Sequence, residues 1–186
     1  MKAFTEETIE SERIYEGKIL NLRRDKVTTR NGESYREIVE HNGGVVIIAV
    51  TEDGMVPMVR QYRKAAEQVI LEVPAGKLDE GEDPEEAALR ELKEETGYTA
   101  QRITKLSSGY SSVGYSSEIL HLFLAEELIP GETEPDPGES LELQLIDFKA
   151  LYEMAMDGRI IDIKSVAAIT LSKEVLFATR RKEGPG

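Results

Sequence analysis

The chain has no cysteine, which removes disulfides, thiolate metal centres and a cysteine nucleophile from consideration. The same absence fits a reducing compartment. Long apolar runs are also missing. The longest uninterrupted one is Val45 to Val50, far short of the roughly 20 residues a membrane helix needs. The opening stretch MKAFTEETIE carries no apolar segment of the kind that marks a secretory signal, so the expectation is a soluble, cytoplasmic protein with no membrane partner. Positive charge is scarce: 23 Lys and Arg stand against 36 Asp and Glu, a net charge of −13. A surface this acidic repels nucleic-acid backbones unless a basic patch intervenes. The short run Arg180-Arg181-Lys182 reads as a helix end, so no nucleic-acid partner is expected. No period of about 20–50 residues recurs, which excludes a solenoid.

What is present suits a globular protein. With 186 residues and 40% hydrophobic content, the chain can bury a sizeable core as one domain, or one domain with an appended piece. Ile14 to Val27, a turn at Arg30-Asn31-Gly32 and Ser34 to Glu40 predict an N-terminal antiparallel hairpin. Val45 to Val50 predicts a strand buried on both faces, with Met55 to Tyr62 after the Glu52-Asp53-Gly54 turn as its partner. Val69 to Val73 is a further strand, broken by Pro74-Ala75-Gly76. A helix over Pro84 to Thr96 has clear ends: Asp83 as N-cap, Pro84 in the first position, Glu86 completing a capping box, and Gly97 as the stop. Strands over Thr99 to Leu106, Glu118 to Ala125 and Leu141 to Ile146 follow, then a short helix over Asp147 to Met156 and a long amphipathic one over Ile163 to Arg181. The expected fold class is α/β (α+β), a mixed β-sheet with helices on its faces. Residues 1–42 form a separable hairpin region and a candidate dimerisation sheet, and residues 43–186 form the main domain.

Within the main domain, GKLDEGEDPEEAALRELKEETGY (residues 76–98) concentrates acidic residues. Part of that charge has an ordinary reading. Glu86, Arg90 and Glu94 stand four apart and alternate in sign, a surface ladder worth about 0.2–0.5 kcal/mol per pair. Glu91 and Glu95 are different. They also stand four apart, no cation lies three or four positions from either, and Ala87 and Ala88 beside them allow close approach of another backbone. A like-charged carboxylate pair suits a hard cation such as Mg²⁺; an exposed acidic helix is the alternative, and on spacing alone both stay open. The strand end at Pro74-Ala75-Gly76 adds a candidate ligand, the Ala75 carbonyl, with Gly76 supplying the turn that aims it.

Gly76, then Glu82, then Arg90-Glu91-Leu92-Lys93-Glu94-Glu95-Thr96-Gly97-Tyr98 resembles a complete Nudix box. The match extends from about Tyr15 to Leu171. The resemblance implies the Nudix fold and Mg²⁺-dependent hydrolysis of a nucleoside diphosphate linked to another moiety, with Mn²⁺ as a substitute ion. It implies Glu91, Glu95 and the Ala75 carbonyl as leading ligands, Glu94 as ligand or orienting group, Glu82 acting through a water or by contact with a ligand, and Arg90 orienting the glutamates. Arg60-Gln61-Tyr62-Arg63, Leu71-Glu72-Val73-Pro74-Ala75-Gly76-Lys77 and Gly158-Arg159-Ile160-Ile161-Asp162-Ile163-Lys164 resemble the ADP-ribose pyrophosphatase branch, whose products would be AMP and ribose 5-phosphate. That branch usually has a proline fifteen residues beyond Tyr98, where this chain has Val113. The departure leaves room for another sugar nucleotide such as GDP-mannose. A non-enzymatic sensor of nucleotide sugars is the rival class. By the same resemblance Glu139 is the candidate general base, with Glu142 as alternative. Arg63 and then Arg36 are candidates to hold the diphosphate, with surface ion pairing equally open for Arg36. Tyr15 is a candidate to stack a base in a homodimer. His41 and His121 read as structural.

Overall fold

The computed structural model describes residues 4–134 and 140–182, with side chains described as far as Leu176. The chain divides into two compact units, one of residues 1–43 with 109–119 and one of residues 44–108 with 120–186.

The first unit holds a three-stranded antiparallel sheet, β1 (Thr8–Glu16), β2 (Asn21–Thr29) and β3 (Gly32–Glu40), in the order β1-β2-β3. The expected turn sits between β2 and β3, where Gly32 has φ 123°, a region that favours glycine. The expected hairpin is therefore one strand short. Ile14 to Val27 is not one strand but the end of β1, a turn closed by Gly17 N–H donating to the Leu20 carbonyl, and most of β2. Gly17-Lys18 is a weak turn signal, which is why the break is hidden in the sequence. Every residue of β1 is exposed. Only Val27 and Asp25 of this sheet are buried, the latter accepting from Ser11 Oγ at 2.6 Å.

The second unit is built around β4 (Gly44–Ala49), whose six residues are all buried. Its alternation divides the core. Val45, Ile47 and Ala49 pack with Ala87, Ala88 and Leu92 of α1 (Pro84–Thr96). Val46 and Ile48 pack with Leu151 and Ala155 of α2 (Phe148–Met156) and with Ala168 and Ile169 of α3 (Ile163–Lys182). Helices thus cover both faces of the strand, the sandwich that continuous apolar character predicts. β4 runs parallel to β9 (Ile119–Ile129), with β8 (Thr99–Tyr110) beyond it, and antiparallel to β7 (Ala75–Lys77). A separate antiparallel sheet has the order β10 (Leu141–Asp147), β5 (Met55–Arg63), β6 (Gln68–Glu72). So β5 does not pair with β4 as expected; its ladder partners are β6 and β10.

Two further departures matter for the site. Pro74-Ala75-Gly76 does not end pairing. The chain continues as β7, and the Pro74 carbonyl accepts from Ile47 N at 2.8 Å. The buried stripe of α3 includes Ser165 and Ser172 beside Ala168 and Ile169. It is helical in period but half polar, so the helix is less amphipathic than its spacing suggests. No helix among the described residues is long and apolar enough to cross a membrane.

Candidate active site

The acidic stretch folds as its caps dictate. The Asp83 carboxylate accepts from the backbone N–H of Glu85 at 2.8 Å and of Glu86 at 3.3 Å, Pro84 occupies the first turn, and Gly97 closes the helix with φ 77°. These ends fix the rotation of α1. Ala87, Ala88 and Leu92 face β4, and Glu91 and Glu95 meet β7 at Gly76 and Ala75.

Arg90 gathers the carboxylates. Its Nε donates to Glu82 Oε1 at 3.0 Å and its Nη1 to Glu91 Oε1 at 2.8 Å and Glu94 Oε2 at 2.9 Å. Glu82 takes the place expected for Glu86, which is exposed at the helix start. The reading of Glu91 and Glu95 as a pair lacking partners is corrected. Adjacent Arg90 reaches Glu91, and the Ala75 backbone N–H donates to Glu95 Oε2 at 3.1 Å. Sequence spacing missed both, because an adjacent residue and a strand twenty positions away lie outside the helical neighbour rule. The hydrogen bond from Arg90 holds the Glu82 carboxyl below the usual carboxylate range, and Arg90 itself is pushed far above its ordinary value by Glu82 and Glu91.

Gly76 has a role different from the one expected. It has no left-handed φ. A Cβ at this position would lie 1.8 Å from the Glu91 carboxyl carbon, so glycine is what lets the Glu91 carboxylate rest against the backbone there. Gly44 supports the same strand, since a Cβ on it would meet the Gly76 carbonyl at 2.7 Å.

The donor set of this site fits a hard divalent cation in chemistry and charge. Glu82, Glu91, Glu94 and buried Glu95 offer only carboxylate oxygens, and one guanidinium answers three of them. Arg90 draws Glu82, Glu91 and Glu94 toward itself, and no cluster of three or more acid or imidazole groups among the described residues is arranged as a ready cage.

Arg63 lies in the same unit, on β5. Its Nε and Nη2 donate to Glu72 Oε1 at 2.7 Å and Oε2 at 2.9 Å. Glu95 and Asp162 are near enough for their charge to help keep it protonated, after Glu72 itself. Glu142 is on β10, exposed, with Arg60 at 3.5 Å. Glu139 lies outside the described residues. The segment approaching it is anchored on α1: Glu134 N–H donates to the Glu94 carbonyl at 3.0 Å, and Lys93 Nζ reaches Glu134 Oε1 at 3.1 Å. Tyr15 and Arg36 belong to the first unit. Arg36 is engaged by Glu6 through Nε at 2.9 Å and through Nη2, and Tyr15 is exposed. His41 Nδ1 accepts from Gly43 N at 3.0 Å, and His121 Nδ1 lies 2.8 Å from Ser108 Oγ. The sequence reading assigned no role to Glu72 and Lys164, which the structure joins to Arg63.

Comparison with known proteins agrees with this architecture. Residues 40–183 match the NUDIX domain, and residues 6–37 match the nucleoside diphosphate sugar hydrolase N-terminal domain. The chain is 44% identical to an ADP-ribose pyrophosphatase of Bacillus subtilis (strain 168), over 91% of this chain and 93% of that one. It is 42% identical to a methanol dehydrogenase activator of Bacillus methanolicus, over 90% and 92% of the two chains. It is 34% identical to a GDP-mannose pyrophosphatase of Yersinia enterocolitica, over 73% and 78%. A crystal structure of an ADP compounds hydrolase superposes with a TM-score of 0.84 over 96% of this chain and 98% of that one, at 24% identity, which speaks to the fold. The chain therefore belongs to the Nudix family. Within that family it is a hydrolase of the ADP-ribose pyrophosphatase-like kind, carrying the N-terminal domain of nucleoside diphosphate sugar hydrolases. Nudix hydrolases generally use divalent metal ions.

Proposed function

We propose that the chain hydrolyses the diphosphate of a nucleoside diphosphate sugar, with ADP-ribose as substrate and AMP and ribose 5-phosphate as products. The observation that carries this reading is the acid-rich cluster on α1, one guanidinium among four glutamates, set against the bare backbone of Gly76. The cation is Mg²⁺, with Mn²⁺ able to substitute; when bound it neutralises phosphate charge and acidifies water. Glu91, Glu95 and the Ala75 carbonyl would hold it, with Glu94 and Glu82 alongside. Arg90 orients Glu82, Glu91 and Glu94 through its hydrogen bonds. Arg63 holds the diphosphate through the part of its guanidinium that Glu72 leaves open. Water adds to one phosphorus and the bridging P–O bond breaks, so each product keeps one phosphate. Glu139 accepts the water's proton. Glu134, five positions earlier in the sequence, is tied to α1, whereas exposed Glu142 pairs with Arg60. Tyr15 stacks the base and Arg36 lends charge in a cytoplasmic homodimer formed through the exposed β1 sheet.

A second reading keeps the chemistry and changes the sugar nucleotide to one such as GDP-mannose. Val113 in place of the usual proline favours it, as does the Yersinia relative. Incubating the purified chain and Mg²⁺ with a panel of nucleoside diphosphate sugars, then separating products, decides among the readings. AMP and ribose 5-phosphate from ADP-ribose are expected. Preferred cleavage of GDP-mannose would establish the second reading, and binding without cleavage would establish a sensor.

A further inference from the structure

One charged group in the second unit is buried far more deeply than its position on a strand predicts. Glu72, the last residue of β6, is 2% exposed. Burying a carboxylate costs several kcal/mol unless its oxygens are answered by charge and hydrogen bonds. Here both are. Arg63 clamps it in two-point fashion, and Lys164 Nζ donates to Oε2 as well. Despite the cost of burial, Arg63 and Lys164 together hold the Glu72 carboxyl below the usual carboxylate range.

The cations are themselves fixed. Lys164 Nζ also donates to Asp162 Oδ2 at 2.8 Å. That oxygen accepts from Ser165 N at 3.1 Å and Ser165 Oγ at 2.5 Å, so it caps the start of α3. Ser165 Oγ in turn accepts from the backbone N–H of Val73 at 2.9 Å. The links close a ring: Glu72, Lys164, Asp162, Ser165, and back to Val73 beside Glu72. Two strands and a helix start are tied at one point. Two residues beyond Val73, the Ala75 N–H holds Glu95.

Such a ring is a poor device for stability, since an apolar cluster of similar volume often does as well. It is a good device for aiming a guanidinium. Arg63 remains 40% exposed at its side chain while Glu72 is enclosed. Nε and Nη2 are taken by Glu72, and Nη1 makes no hydrogen bond among the described residues. A guanidinium has five N–H groups in a rigid fork. With one edge committed and the side chain still part exposed, the N–H groups of Nη1 are left for a ligand, and a guanidinium edge can bind a phosphate at two points.

We propose that Glu72 is a positioning residue for substrate: with Lys164 and Asp162 behind it, it fixes the Arg63 fork so that the free edge meets the diphosphate. This rests on the reading of Arg63 as a diphosphate-binding residue. Lysine at position 63 would keep the charge but lose the fork, and a flexible Arg63 would pay its ordering cost on each binding event.

The test is a double-mutant cycle on Glu72→Gln and Arg63→Met, read as kcat and KM for ADP-ribose with Mg²⁺, alongside melting temperature. Glu72→Gln should raise KM about tenfold with kcat changed less than about threefold. Arg63→Met should raise KM at least as much, and the double variant should match Arg63→Met alone. Titration of ADP in the presence of Mg²⁺ by calorimetry repeats the cycle without turnover. If the wild-type chain fails to cleave ADP-ribose, the substrate reading falls while the binding cycle still decides this one. An unchanged KM and ADP affinity in Glu72→Gln overturns the proposal, as does a full additional loss in the Arg63→Met background. Arg63→Met with unchanged ADP affinity overturns both it and the reading of Arg63. Should Glu72→Gln not fold, Lys164→Met takes its place in the cycle with the same criteria.

Discussion

Two ionic clusters of the second unit are built from the same kinds of side chain and are balanced in opposite ways. Around Arg90, one guanidinium answers Glu82, Glu91 and Glu94, and Glu95 adds a further carboxylate on the same helix. Around Glu72, two cations answer two carboxylates, Arg63 and Lys164 against Glu72 and Asp162. A balanced buried network is complete without anything from solution. An acid-rich one is stabilised further by whatever cation arrives. On the two proposals above, the first cluster binds and the second aims, although each contains a buried glutamate held by an arginine or a backbone N–H.

The strongest way to break this contrast is to change a carboxylate on the acid-rich side. Glu95→Gln removes one charge and keeps the volume and the hydrogen bond from Ala75. Turnover with Mg²⁺ should fall to background while the melting temperature changes little, because the substitution keeps the side chain's volume. Normal turnover by this variant would sink the assignment of the site. Next in size is Gly76→Ala. The added methyl must displace the Glu91 carboxylate, the far end of a flexible side chain, so the fold should survive. A misplacement on the order of 1 Å can cost about 100-fold in rate. A loss of that size in kcat/KM with little change in melting temperature is expected. A large fall in stability would mean that the backbone, and not Glu91, gives way.

Arg90→Met should be milder and of another kind. Its loss leaves Glu82, Glu91 and Glu94 facing one another without their shared counter-ion. The thermal midpoint should drop, and added Mg²⁺ should restore more of it than in the wild type. Activity should fall by about 10–100-fold, the usual effect of removing a group that orients ligands. If Mg²⁺ raised the midpoint equally in both proteins, the cluster would not be the cation's site.

How much of this was legible in the sequence differs between the clusters. Helix α1 was readable to the residue because Asp83, Pro84 and Gly97 mark its ends by local chemistry. Strand β4 was readable because six consecutive apolar residues leave few alternatives. The acidic cluster was visible because its members lie within one helix and the turn before it. The Glu72 ring was not, since its partners lie 9 and 92 positions away and each reads alone as an ordinary surface charge. Strand β1 escaped for the opposite reason. All its residues are exposed, so no burial pattern marks it off from the turn that follows. The pairing of β5 with β6 and β10 in place of β4 is a tertiary choice that hairpin signals do not encode.

The smallest expected effect sharpens the balanced side. The Glu72 carboxyl titrates below its ordinary value in the folded protein because Arg63 and Lys164 outweigh its burial. The unfolded chain then binds this proton more readily than the folded one. Glu72 therefore contributes stability that is present above the usual carboxylate range and is lost as pH falls through that range toward the folded value. Each kcal/mol lost lowers the midpoint by about 2–4 °C in a chain of this size. In Glu72→Gln the group that must take up the proton is gone, so its midpoint should fall less steeply with acid than that of the wild type. Glu82 shifts in the same direction but is more open to solvent and common to both proteins, so the difference between the two acid limbs isolates the ring. Parallel limbs would mean that Arg63 and Lys164 do not stabilise the Glu72 charge, and the aiming device would lose its anchor.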